Sequence, residues 1–190
     1  MGRHRGGVIG IDYSMTSPSV CTFSGNKFSY KSCKFFYLTD KKKLEGKTNN
    51  FNGTLIEEYQ SPEERFNNIS NWALSIVLQS SPIHVYIEDY SYGSTGRVFN
   101  IAENLGLLKH KLWTFKINFS TIPPTVIKKF ATGKGNADKA KMEEAFISET
   151  QTDVKKLLGI TPSQWNPSSD IIDSYFICKY GYDQTILPKQ

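Results

Sequence analysis

The stretch GIDYSMTSPSV, Gly10 to Val20, puts an aspartate at the end of a short apolar run and follows it with a polar turn and a second run. Val8 to Tyr13 is rich in β-branched residues and reads as a buried strand. Ser19 to Phe23 and Lys27 to Tyr37 read as the next two strands. Gly25-Asn26 would be the turn between them, giving an antiparallel opening. Asp12 closes the first apolar run, where a merely solvated carboxylate is not usually found. It is the first candidate for chemistry.

Outward from that hairpin, Leu38 to Gly53 changes character. It holds Lys41, Lys42, Lys43 and Lys47, then Asn49, Asn50, Asn52 and Gly53. This composition predicts a basic, mobile loop. Ser61-Pro62-Glu63-Glu64 is a helix start, with a capping hydroxyl, a proline suited to the first turn and two acids that complement the helix dipole. Phe66, Ile69, Trp72, Ala73, Ile76 and Val77 recur at helical spacing, and the helix should end before Pro82. Ile83 to Glu88 reads as a strand and Tyr90 to Gly96 as a loop. Val98 to Trp113 reads as a helix with Ile101, Leu105, Leu108 and Leu112 on one face. Phe115 to Ile122 is a further strand, stopped by Pro123-Pro124. Helical pieces follow at Thr125 to Phe130, Asp138 to Glu149 and Ser168 to Lys179. The order β-β-β-α-β-α-β-α gives an α/β fold: a mixed central sheet, antiparallel at first and then parallel, flanked by helices. The expectation is a single domain over residues 1–190, with the basic stretch at about 38–53 as a loop insertion and 151–167 as another.

Bulk properties set the outer limits. A chain of 190 residues with 38% apolar and 22% charged side chains can build a real core. No apolar run is long enough for a membrane span, and the basic, glycine-rich start lacks the apolar core of a secretory signal, so an intracellular protein is expected. The net charge of +5 and pI of about 9.0 favour a polyanionic partner without proving one. Cys21, Cys33 and Cys178 are odd in number, distant in sequence and without a C-x-x-C pair, which predicts small buried thiols rather than disulfides or a zinc site. His4, His84 and His110 have no ligand spacing.

Four acids could meet. Asp12 and Glu88 each end an apolar strand, and neighbouring strand ends can place both at one sheet edge. Asp170 and Asp173, in NPSSDIID (Asn166 to Asp173), lie three apart and would share a helix face. Ile171, Ile172, Tyr175 and Phe176 would face the sheet. Carboxylates are hard oxygen ligands that suit Mg²⁺, with Mn²⁺ able to substitute. Two such ions about 3.5–4 Å apart can activate water and stabilise the leaving oxygen of a phosphodiester. Each acid also has a plainer reading. Asp12 could begin a turn, Glu88 could start a solvated loop with Asp89, Asp170 could serve the helix dipole and Asp173 could be solvated. Together, in this order, they favour a metal site.

GKGNADK, Gly133 to Lys139, adds a glycine-rich turn leading into a helix, without the spacing of a nucleotide-binding P-loop, and no nucleotide cofactor is expected. With GIDYS, YIE at Tyr86 to Glu88 and NPSSDIID, this motif resembles the RuvC-type Holliday junction resolvases of the ribonuclease H-like superfamily. The likeness runs in the right order over nearly the whole chain. It implies Asp12, Glu88, Asp170 and Asp173 as catalytic and metal-binding acids around two Mg²⁺ ions. Lys128, Lys139 and Lys134 would lie near the DNA backbone, with Arg97 a further candidate there. Tyr90 or Tyr92 would stack on an opened base, with Phe99 another possibility. The family also implies a ribonuclease H-like fold and a branched DNA substrate. A homodimer follows from the family and from the twofold symmetry of a four-way junction. Val98 to Trp113 is the candidate dimer interface, or else core. The Asp89-Tyr90-Ser91-Tyr92-Gly93 segment and the Lys41 to Lys47 stretch differ from the bacterial pattern and are more like a divergent viral or organellar branch.

Other readings stay open at this point. One is a ribonuclease H-like nuclease for flaps or RNA–DNA hybrids, from which GKGNADK differs. Another is a DNA-binding module without catalysis, which would not need all four acids. An actin-like ATPase would need a second domain and another phosphate loop.

Overall fold

The computed structural model describes residues 7–90 and 98–185. Its sheet is built from β1 (Val8–Asp12), β2 (Ser19–Phe23), β3 (Cys33–Thr39), β4 (Gly46–Thr48), β5 (Phe51–Leu55), β6 (His84–Glu88) and β7 (Phe119–Ile122). The helices are α1 (Pro62–Ser80), α2 (Val98–Thr114), α3 (Pro124–Thr132), α4 (Lys139–Thr150), α5 (Val154–Leu158) and α6 (Ser168–Thr185). The seven strands lie in the order β4-β5-β3-β2-β1-β6-β7. β1, β2 and β3 pair antiparallel, whereas β6 joins β1 and β7 joins β6 in parallel. The mixed sheet expected from the element order is present.

Strand alternation divides the core between two faces. Ile9, Ile11, Val85 and Ile87 pack with α1 and α2 through Ile69, Ala73, Val77, Leu105 and Leu108. Val8, Cys21, Phe35 and Tyr86 pack on the opposite face with α6, α3 and α4. α1 begins as its sequence dictates: the Ser61 hydroxyl accepts from the Glu64 amide at 3.2 Å, with Pro62 in the first turn. It ends at Ser81, which takes a left-handed conformation with φ 46° just ahead of Pro82.

α6 crosses the middle of the sheet, and Gly10 makes the crossing possible. A Cβ there would lie 2.2 Å from the Cys178 amide nitrogen and 2.5 Å from the Ser174 carbonyl oxygen. Only a residue without a side chain admits that approach. The helix carries almost no amphipathic pattern because much of its surface is covered: Ile171, Ile172, Tyr175, Phe176, Ile177 and Cys178 are all buried. Edge-to-face rings seat it, among them Tyr175 against Phe146 with centroids 5.1 Å apart.

Several expectations give way. The stretch 38–53, read as a mobile loop, instead forms a 3₁₀ turn at Lys42–Leu44 and the strands β4 and β5, which extend the sheet beyond β3. Its polar composition hid two anchors. Phe51 is fully buried and stacks on Phe35 at 4.8 Å, and Leu44 is buried with its carbonyl accepting from the Tyr37 hydroxyl at 2.8 Å. The third strand begins at Cys33 rather than Lys27, and no tight hairpin joins it to β2. Phe28 is drawn off the strand path to pack on Tyr175 and Tyr182, with both centroid distances 5.5 Å. β7 starts at Phe119 instead of Phe115, because the chain turns at Lys116 with φ 56° and leaves Phe115 exposed. The segment 151–167 contains α5, whose Val154 joins the core together with Ile160. The three cysteines are buried and free as expected, yet they are neighbours in space: burial, with Cys178 and Cys33 close by, pushes the Cys21 thiol up.

Candidate metal centre

Alternation also aims the acids. Val8, Gly10 and Asp12 face α6, as do His84, Tyr86 and Glu88. The parallel register ends at Ile11 opposite Ile87, so Asp12 and Glu88 are the next residues of adjacent strands, at one sheet edge. α6 passes over Gly10 at Ser174 and Cys178, which puts its first turns, with Asp170 and Asp173, above that same edge. Asp12 and Asp170 are buried, while Glu88 and Asp173 are partly exposed.

The four carboxyls sense one another. Burial, followed by the charges of Asp170, Glu88 and Asp173, holds Asp12 well above the usual carboxylate range. Burial and Asp173 push Glu88 up to about 8 against the pull of Lys128. Burial and Asp170 push Asp173 up to about 7, opposed by Lys128 and Lys139. Asp170 is raised by burial, but the Ser17 hydroxyl, Lys139, Asp12 and Ser169 all favour its charged form. Like charges confined in a poorly solvated space cannot all ionise without compensating cations. Two lysines supply part of that compensation, Lys128 on α3 and Lys139 at the start of α4.

Asp170 is the most heavily supported acid. Ser17, itself buried, donates to Oδ2 in a short contact, and Ser14 donates to the same oxygen at 3.4 Å. The Ser17 amide in turn donates to Ser14 Oγ at 3.1 Å. Ser169 reaches Oδ1 at 3.4 Å and Asn166 Oδ1 at 3.2 Å, and Lys139 Nζ donates to Ser169 at 3.3 Å. This hydroxyl shell was not anticipated. Its signal was present in the sequence, in the serines of DYSMTS and NPSSD beside the acids. Short hydroxyl side chains are so common in loops that they gave no reason to single these out.

The other candidates scatter. Lys134 is exposed in the turn after α3, where its amide donates to Thr132 Oγ1 at 3.2 Å. Tyr90 is partly buried against the α1–α2 side of the core. Phe99 on α2 is 78% exposed, so it is not helix core. Tyr92 and Arg97 fall outside the described residues.

The donor set is all oxygen and suits a hard divalent cation. Among the described residues, no three acidic, histidine or cysteine side chains are already arranged to hold a metal ion. Asp12 and Asp170 instead lie close enough to shift each other's titration, and two serine hydroxyls occupy Asp170 Oδ2. The chemistry fits, with the carboxyls gathered around one place rather than converged on a point.

No protein-family model matches the sequence. The chain is 28% identical over 108 residues to the crossover junction endodeoxyribonuclease RuvC of Prochlorococcus marinus (strain NATL2A), covering 56% of this chain and 70% of that protein. Among solved structures, Thermus thermophilus RuvC superposes with a TM-score of 0.58 at 16% identity over 94% of this chain and 95% of that one. The yeast mitochondrial Holliday junction resolvase Ydc2 gives 0.52 at 16% identity over 92% and 76%. The central sheet and the helix that crosses it thus share the fold of these solved structures. In sequence the chain is similar to RuvC over 56% of its length.

Proposed function

We propose that this protein is a structure-selective DNA endonuclease that resolves four-way junctions by hydrolysing phosphodiesters. The gathering of Asp12, Glu88, Asp170 and Asp173 at the edge of β1 and β6 carries the reading, because burial and repulsion make the group a receptor for cations. These residues would hold Mg²⁺ or Mn²⁺, two ions per site. Such ions supply Lewis-acid stabilisation of the scissile phosphate and a more acidic water. The protein's own part is positioning. Ser17 and Ser14 fix the orientation of Asp170, while α6 holds Asp173 one turn further along. Lys128 and Lys139 lie where they offset excess negative charge and can meet DNA phosphates.

A four-way junction offers equivalent strands to cut, so a twofold homodimer is the matching assembly. On α2, Phe99 is 78% and Trp113 71% exposed, which supports that helix as the contact. Among the described residues no helix is long and apolar enough to cross a membrane. We read the whole chain as a single nuclease domain.

The test is cleavage of a labelled four-way junction and of matched duplex, flap and RNA–DNA hybrid, in Mg²⁺ or EDTA, with Asp12→Asn alongside. Symmetric cutting of the junction alone, stopped by EDTA and by Asp12→Asn while binding survives, is the expected result. Equal cutting of all substrates would remove the junction selectivity, and binding without cutting would leave a DNA-binding module.

A further inference from the structure

We propose that a small cavity beside the acid cluster is a subsite for a backbone phosphate of the cut strand, flanking the scissile one, with Lys41 as its cation. The proposal rests on the nuclease reading above and adds where the strand runs. The cavity has a volume of about 200 Å³ and is lined by Thr16, Ser17, Thr39, Asp40, Lys41 and Asn166, among others.

Topology explains its position. β1 and β2 are antiparallel, as are β2 and β3, so β3 ends at the same sheet edge as β1. The residues that follow β3, Asp40 and Lys41, therefore emerge beside the acids. Ser17 is the shared wall: it lines the cavity while its hydroxyl donates to Asp170. Lys128 follows β7, beyond β6 from the cavity, and is close enough to lower the pKa values of Glu88 and Asp173. A strand crossing the cluster from Lys128 leaves it at the cavity. A polyanion held by the active site needs cations along its path on both sides of the reacting phosphate, and Lys41 is placed to supply the second side.

Local contacts favour Lys41 over its neighbours. Its amide donates to Thr39 Oγ1 at 3.2 Å, which fixes the turn, and among the described residues it has no ion-pair partner. Lys42 is instead paired with Glu45. Thr16 Oγ1 accepts from Asn166 Nδ2 at 3.2 Å, leaving its own hydrogen to donate. Asp40, exposed at the mouth, opposes an anion. The adjacent pair therefore predicts effects of opposite sign: losing Lys41 weakens binding, and neutralising Asp40 strengthens it. The basic segment is held by the buried Leu44 and Phe51, so its lysines are presented by regular structure.

The experiment measures junction binding by the full chain in Ca²⁺ across a salt series. It uses wild type, Lys41→Ala, Asp40→Asn and, as a control at the opposite sheet edge, Lys31→Ala. Each protein is also tested on junctions carrying single neutral methylphosphonates near the cut. Lys41→Ala is expected to weaken binding about five- to tenfold at low salt and to lower the salt slope by about 0.7–0.9, the share of one phosphate contact. Asp40→Asn should tighten binding and Lys31→Ala should change nothing. One methylphosphonate beside the scissile position should weaken wild type by the factor seen for Lys41→Ala, and cost that variant nothing more. An unchanged Lys41→Ala, or methylphosphonates that penalise it as they penalise wild type, would overturn the subsite. So would a loss of affinity in Asp40→Asn, which would indicate a base amine in the cavity. If wild type binds and cuts junctions while these results fail, only the subsite falls. If wild type binds no junction, both readings fall.

Discussion

Raising the pH should loosen the metal-free protein, and a divalent cation should tighten it again. Glu88 is pushed up to about 8 and Asp173 to about 7, whereas in the unfolded chain both would titrate near ordinary carboxylate values. Between those limits the folded state binds more protons than the unfolded state, so stability falls as pH rises. The contribution is intact below about pH 4 and is lost by the time pH passes the folded values. A tenfold change in proton affinity between the two states is worth about 1.4 kcal/mol. Each carboxyl holds its proton roughly a thousandfold more tightly when folded, but the two share one proton-rich cluster and cannot be added in full, so about 3–5 kcal/mol in total is a reasonable scale. For a chain of this length that is on the order of 10 °C in Tm. The assay is thermal unfolding in EDTA at steps from about pH 5 to about pH 9, repeated with Ca²⁺. Melting should fall steadily with pH in EDTA, and Ca²⁺ should restore it most at the alkaline end, where binding displaces the fewest protons. Glu88→Gln should flatten the decline and melt higher than wild type at the alkaline end without metal. A melting temperature that stays level or rises with pH in EDTA, with no gain from Ca²⁺, would refute the claim that these carboxyls are destabilised by burial and one another.

Ser17→Ala should raise the Mg²⁺ concentration needed for half-maximal cleavage about tenfold, as measured by a metal titration, because its hydroxyl holds Asp170 Oδ2. Ser17→Thr should recover part of that loss. Gly10→Ala should cost more than about 4 kcal/mol in urea unfolding or abolish folding, because the added Cβ meets the α6 backbone rather than a side chain that can move. Phe51→Ala should cost about 3–5 kcal/mol by the same measurement, since the ring is fully buried and stacked on Phe35. A cost below about 1 kcal/mol would mean that β4 and β5 are appended to the fold without stabilising it.

The sequence discloses the elements whose signals are local. The cap at Ser61, the apolar stripe of α1 and the β-branched run before Asp12 each require a definite local structure. What it hides depends on distant partners. Phe28 looks like a strand residue until Tyr175 and Tyr182 arrive from the far end of the chain to draw it away. Phe51 stands alone among asparagines, and only its seat on Phe35 makes a strand of a polar stretch. The acids were legible because a carboxylate closing an apolar strand conflicts with its setting. Their serine partners were not, since a serine in a loop conflicts with nothing. The cysteines show the same limit, because sequence separation says little about distance once β2, β3 and α6 share one core.

The same arrangement explains how four acids can be held together at all. Repulsion and lost solvation at the cluster disfavour the folded state by several kcal/mol when the groups ionise. That pressure acts on the first turns of α6, which carry Asp170 and Asp173. The helix resists it through the section beyond, where Tyr175, Phe176, Ile177 and Cys178 are buried almost completely, each large side chain contributing about 1.5–3 kcal/mol. Gly10 lets that section sit directly on β1, so the acids two residues along the strand and one turn back along the helix have little freedom to separate. A side chain larger than hydrogen at Gly10 would lift the helix, relieve the repulsion and scatter the carboxyls. The close crossing of strand and helix is thus both a support of this layer and the device that crowds four acids together.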